Sequence, residues 1–295
     1  ALTPTMRAVL GARLGQLPDG VRRLTEVAAV IGRPFSVGLM VSATEIGEHE
    51  LVDQIDELWR RRIIRDQGLT YDFSHDKLRA VALEMVSPAR RRQLHRAVAE
   101  AIAVERHKDI DAASPQLAAH YDQAGMVEPA IDAYRVAGAR AVAVSALDEA
   151  VTMFRRALSL LAEVPRSADR DALELDIRIA LGSPLVALQG YGSQGVHQLY
   201  ERALSLCRKI NRPVDPPILR GLGLARLQGC RFDDSSELGQ ALLDHESHDP
   251  IARTEGRYLL GVSAFWRGDL AMARDYLDGA IDAYDVSHRD EHLAL

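Results

Sequence analysis

From about residue 111 onward the chain repeats itself in helical units, and no other feature limits its fold as tightly. Leu117, Ala118, Tyr121, Gly125, Ala130, Tyr134 and Ala137 follow the order leucine, small, aromatic, glycine, alanine, aromatic, alanine of a helical hairpin of about 34 residues. Leu260, Gly261, Gly268, Ala273, Leu277 and Ala280 fill the same offsets apart from the aromatic ones. Gly138, Ala150, Phe154 and Ala157 make a partial match, with Pro165 where a unit would end, and Leu222-Gly223 opens a weaker one. Small residues let paired helices approach, and larger ones wedge into the gaps of the next pair. Ala130 and Ala150 are only twenty residues apart. The helix from about Glu128 to Val144 is therefore expected to be second in one pair and first in the next.

The first hundred or so residues have another texture. Met6, Val9, Leu10 and Leu14 space one amphipathic helix, ended by "LPDG"; Val21, Leu24, Ala28 and Ile31 space a second, ended by Gly32. After a short "FSVGLMV" element, Leu51, Val52, Ile55, Leu58 and Trp59 give a third. "IIRDQGLTYDF" then reads as strand, glycine turn, strand. Helix, helix, helix, hairpin is the order of a winged helix. Two helices follow, one from about His75 and one from about Ala89 to Arg106 with a stripe of Leu94, Val98, Ala101 and Ile102. The expected fold is mostly α: a winged-helix-like module with trailing helices over 1–107, then an α-solenoid of helical repeats over 108–295.

Composition narrows the function classes. Hydrophobic residues at 47% and charged residues at 26% suit an ordinary soluble protein, while 5% aromatics favours helices packed through small side chains. A net charge of −6 gives no general reason to expect nucleic acid. Cys207 and Cys230 are too few for a disulfide framework and read as reduced core thiols of a cytoplasmic protein. No apolar run is long enough to span a bilayer, and no signal-peptide pattern opens the chain. The chain starts with Ala directly on a patterned segment, so a fragment of something longer is expected.

The stretch "YDFSHDKLRAV", Tyr71 to Val81, ends a strand-like alternation in Ser-His-Asp just where a helix begins. Leu78, Val81, Ala82 and Met85 recur at helical spacing, and Ser74 is placed to be the N-cap. His75 and Asp76 then fall in a first turn whose free N–H groups and dipole favour a phosphate or carboxylate.

The chain has no G-x-x-x-x-G-K-[ST] loop, no G-x-G-x-x-G after a strand, no G-x-S-x-G elbow and no zinc spacing, so no catalytic and no metal residue is assigned. "HESH", His245 to His248, is read as a solvated turn. Arg60-Arg61-Arg62 raises a DNA-binding wing, but Glu48, Glu50, Asp53, Asp56 and Glu57 on the helix before it would repel phosphates. Arg90-Arg91-Arg92 opens a helix and reads as a solvated or inter-domain face.

With these segments in hand, "LPDGVRRLTEVAAVIGRPFSV", "YDFSHDKLRAVALEMVSPARRRQLHRAVAEAI" and "LAAHYDQAGMVEPAIDAYRVAGARAVAVSALDEAVTMFRRALSLL" together resemble the region downstream of the ATPase core in bacterial STAND signal-transduction ATPases. These join an ATPase and tetratricopeptide-like repeats to a nucleotide cyclase, protein kinase or LuxR-type DNA-binding output. "GYGSQGVHQLYERALSLC" at 190–207 is similar to their sensor part. The resemblance implies that a missing upstream domain binds ATP or ADP, that the winged helix leans on that nucleotide, and that the repeats receive a signal or hold a partner. It also implies that His75 and Asp76 sense the nucleotide state by contacting the ADP phosphate; the alternative is that both merely start a helix.

The function expected is that of a regulatory and sensor fragment, not itself an enzyme and holding no cofactor of its own. It would work by contact with its own upstream ATPase and a signalling protein. Tyr121, Tyr134, Arg135 and Arg257 are candidates for a partner groove, against the alternative that the tyrosines only pack between repeats. Two other readings stay open: a solenoid sensing a small-molecule inducer for a transcriptional regulator, and a DNA-binding winged-helix regulator. "DVSHRDEHLAL" stops without an evident capping helix, which leaves open whether the fragment ends inside the array.

Overall fold

A computed structural model describes residues 3–32, 34–44, 46–107, 109–244 and 250–284. The "HESH" and "DVSHRDEHLAL" segments lie outside them. The chain is mostly α, with fifteen helices and one two-stranded sheet among the described residues. It divides into two compact units, Ala1–Ala137 and Gly138–Leu295.

The first unit opens with α1 (Pro4–Gly15), α2 (Asp19–Ile31), α3 (Val37–Thr44) and α4 (Glu48–Arg60). Thr3 caps α1, its side chain accepting from the Met6 N–H, and Pro4 sets the first helical φ. "FSVGLMV" is thus largely helix, because Ser36 Oγ accepts the Leu39 N–H and starts α3. The hairpin follows, β1 (Ile64–Asp66) against β2 (Tyr71–Phe73), with Ile64 opposite Phe73. Its turn is closed by Asp66, which accepts the Gly68 N–H, and by Gly68 at φ 86, a conformation L side chains rarely adopt. Phe35 bridges to Tyr71 and adds one rung to the sheet.

Then come α5 (Asp76–Met85), α6 (Pro88–Glu105) and α7 (Ser114–Ala124). One core runs through this unit: Leu24, Met40, Leu51, Ile55, Phe73, Leu78 and Val98 are all but inaccessible to solvent. Burying side chains of this size stabilises by about 1.5–3 kcal/mol each.

α7 packs along α6 and ends at Gly125, left-handed at φ 75. The sequence changes texture at 107/108, whereas the compact units divide at 137/138, inside α8 (Val127–Ala143). The two boundaries mark different things: the first repeat helix shares the core of the module before it, with Leu117 in that cluster.

The second unit continues with α9 (Leu147–Leu161), α10 (Ala168–Gln189), α11 (Gln194–Ile210), α12 (Pro216–Gln228), α13 (Phe232–Leu243), α14 (Pro250–Arg267) and α15 (Leu270–Ala283). Each helix packs on the next in sequence, and α12 also touches α10 and α14. Neighbour-on-neighbour plus alternate contacts is the pattern of an α-solenoid. The signature residues supply the close approaches: Ala150, Ala157 and Ala264 are fully buried, and a Cβ at Gly261 would sit 2.7 Å from Leu277 Cγ.

Candidate functional site

The "FSHD" corner is built from the hairpin outward. Ser74 does not cap α5: its hydroxyl donates to the Ile63 carbonyl at 2.8 Å, and its own N–H donates to the same oxygen at 2.9 Å. That tie holds the end of β2 against the start of β1 and passes the capping position to His75. His75 is extended (φ −145, ψ 140), makes no side-chain cap bond, and accepts the Leu78 N–H at its carbonyl. Asp76 is the first residue of α5, and both it and His75 are exposed. The helix behind them is anchored by buried Leu78, Val81 and Ala82, and by Arg79, whose Nε donates to the Ala29 carbonyl at 3.1 Å. The corner therefore presents an imidazole, a carboxylate and a first helical turn without a side-chain cap from a rigid base.

The arginine runs have local partners. Arg60 and Arg61 both pair with Glu57, at 3.0 and 2.6 Å, and hold its carboxyl below the usual carboxylate range, the Arg61 hydrogen bond foremost. Arg91 donates to the Leu83 carbonyl near the end of α5, while Arg90 donates to Gln93 at 2.9 Å. A cleft of about 630 Å³ opens in this unit where buried Leu24, Val27 and Leu94 meet exposed Arg23, Glu50 and Glu100.

Of the groove candidates, Tyr121 lies half-buried against the core of the first unit, where burial raises its hydroxyl pKa. Tyr134 donates to Asp122 at 3.1 Å, and Arg135 is exposed with Asp132 at 4.0 Å. Arg257 belongs to the second unit; its Nη1 donates to the Gly279 carbonyl and it lines an open cleft of about 580 Å³ with Asp269, Met272 and Tyr276.

Three polar constellations were not visible in the sequence. His95 on α6 and His120 on α7 are buried with their Nδ1 atoms 2.9 Å apart. Burial lowers both pKa values to about 4, helped by Arg91 and Arg79 for His95, and by His95 and Arg79 for His120. His95 stands three and seven residues before Val98 and Ile102 on the buried stripe of α6, a placement that could have flagged it.

On α10, buried Glu174 receives Arg202 through Nε and Nη2, both at 2.9 Å, and Arg178 at 2.9 Å. Burial alone would raise its carboxyl, but the hydrogen bonds from Arg202 and Arg178 win and hold it at about 2. Asp171, one turn earlier, pairs with Lys209. Further along, Arg220 sits 2.9 Å from Glu255 and donates to Tyr191 at 3.1 Å. Tyr200 is wedged beside them, its hydroxyl pushed up to about 12 by burial.

Among the described residues, no group of three or more His, Cys, Asp or Glu side chains is placed to hold a metal ion. No helix among them is long and apolar enough to cross a membrane.

No protein-family model matches the chain. It is 30% identical over 294 residues to "Uncharacterized protein R02095" of Rhizobium meliloti (strain 1021), covering 96% of this chain and 28% of that protein. The chain thus spans well under half of the length of the curated relative it matches. Among solved structures, BtubC (BKLC) from P. vanneervenii aligns with a TM-score of 0.45 at 16% identity, over 71% of this chain and 82% of that one. The STAND protein with a tetratricopeptide repeat sensor, PH0952 from Pyrococcus horikoshii, aligns with a TM-score of 0.36 at 13% identity, over 100% of this chain and 48% of that one.

Proposed function

We propose that this chain is the regulatory and sensor region of a longer signal-transduction ATPase of the STAND kind, acting in the cytoplasm and carrying out no chemistry itself. In this reading α1, α2 and α4 with the hairpin, and α3 between them, are a winged-helix-like module that leans on a nucleotide held by an upstream domain. The tetratricopeptide-like helices from α7 onward receive a signalling protein. The observation that carries it is the corner at His75: an exposed imidazole at the N-cap of a helix without a side-chain cap, fixed by the Ser74 tie to Ile63. An imidazole N–H and a helix N-terminus are both good ligands for a phosphate. A contact made with ADP and not with ATP would bias the closed state, since only differential affinity shifts a two-state equilibrium.

The test is calorimetric titration of ADP and ATP into the full-length parent, with and without His75→Ala. The reading expects ADP affinity to fall about tenfold, about 1.4 kcal/mol, while ATP affinity holds. Equal loss for both nucleotides, or no loss, would show that His75 is only the N-cap of a helix.

A further inference from the structure

α4 buries Leu51, Ile55 and Leu58 in the core of the first unit, so the rest of its circumference is held outward by a fixed backbone. On the outward flank next to that stripe Val52, Asp56 and Trp59 recur at i, i+4 and i+7, with Asp53 further round. Val52 is 41% exposed and Trp59 55%. Trp59 is one of two tryptophans in the chain.

Charge says what would cover this stripe. α4 carries five carboxylates and one arginine. Glu57 is taken by Arg60 and Arg61, and Glu50 accepts from Gln54, but Glu48, Asp53 and Asp56 have no ion-pair partner among the described residues. The acidity is local, because residues 1–107 hold 16 Lys and Arg against 14 Asp and Glu, a net of +2. Nucleic acid is repelled by such a face, and so is a second copy of it. A cation is attracted twice, by the carboxylates and by the indole, whose face binds guanidinium and ammonium groups.

We propose that the outer face of α4 docks a basic amphipathic helix of a partner protein. Its lysines or arginines meet Glu48, Asp53 and Asp56, and its aliphatic side covers Val52 and Trp59. The surface is independent of the nucleotide reading and stands or falls without it.

The 295-residue chain carrying Trp266→Phe leaves Trp59 as its sole indole, and its fluorescence reports the site directly. It is titrated with a synthetic leucine–lysine amphipathic helix, with a scrambled peptide of the same composition, and with a short DNA duplex. A saturable blue shift with the helical peptide alone is expected. Asp53→Asn with Asp56→Asn should weaken binding about tenfold, and Trp59→Ala, followed by calorimetry, about thirtyfold. The proposal is overturned if the helical peptide does not bind, if the scrambled peptide or DNA binds as tightly, or if light scattering finds a dimer that Trp59→Ala dissolves.

Discussion

His95 Nδ1 lies 2.9 Å from His120 Nδ1 in the interior of the first unit, so one proton at most occupies the space between two imidazoles. Burial foremost, then Arg91 and Arg79 for His95, and His95 and Arg79 for His120, lowers both groups to about 4 from an ordinary 6.5. A histidine lowered by folding binds its proton more readily in the unfolded chain, so stability is full above about pH 6.5 and falls as pH drops toward about 4. Charging the first ring costs about 3 kcal/mol. Urea midpoints measured across this window should fall with pH, and His95→Gln should flatten the slope. An unchanged slope in the variant would remove the pair as its source.

In the second unit, Glu174 holds Arg202 and Arg178 while Arg170 stands 3.4 Å away, only 12% exposed. Glu174→Ala strands these guanidiniums and should cost about 3 kcal/mol, read from chemical denaturation at neutral pH. For the native carboxylate the pH sign is fixed by its depressed pKa. The stabilisation is present above about 4.5 and lost as pH falls toward about 2. A loss under about 0.5 kcal/mol would reduce the cluster to an ordinary surface network.

Gly221 on α12 and Gly182 on α10 both abut Tyr200. A Cβ at Gly221 would lie 2.3 Å from Tyr200 Cζ, and one at Gly182 2.6 Å from its hydroxyl. Tyr200 is 2% exposed and has nowhere to retreat. Gly221→Ala should therefore destabilise by about 1–3 kcal/mol despite alanine's better helix propensity. Gly11, inside α1 with nothing within 4 Å, is the control: its alanine variant should gain about 0.5–1 kcal/mol. If both variants shift the same way, the close approach at Tyr200 is not what Gly221 is for.

How much of this was legible in the sequence depended on how local each constraint is. Ala118, Ala130 and Gly261 announced close helix pairs because small residues at fixed offsets have few other uses, and all three are buried. Gly68 likewise marked its turn. Ser74 misled, because a serine before a helix can either cap it or bond backward, and only the nearby Ile63 carbonyl decides. The same limit hid the histidine pair: His95 finds its partner 25 residues away, on another helix. Glu174 sits between Leu175 and Asp171 on a buried stripe, and its local pair with Arg178 gave no hint of Arg202 on α11. The exposed His75 and Asp76 were placed at the start of α5 by the apolar spacing that follows them, a strictly local signal.

The two cysteines, expected together as core thiols, part company in the structure. Cys207 is buried on α11, and burial raises its thiol pKa. Cys230 is exposed in the turn after α12, at φ 56, a left-handed position that turns the chain toward α13 and keeps the side chain out of the core. Since the thiolate is the reacting species, burial and the raised pKa both slow Cys207, while Cys230 is open to reagent. A colorimetric disulfide reagent at pH 8 should label one thiol per folded chain quickly and the other only with unfolding. Cys230→Ser should abolish the fast phase and leave the slow one. Two thiols reacting at the same rate in the absence of denaturant would mean that α11 opens readily. The tight packing of Leu206 and Cys207, both wholly buried, argues that it does not.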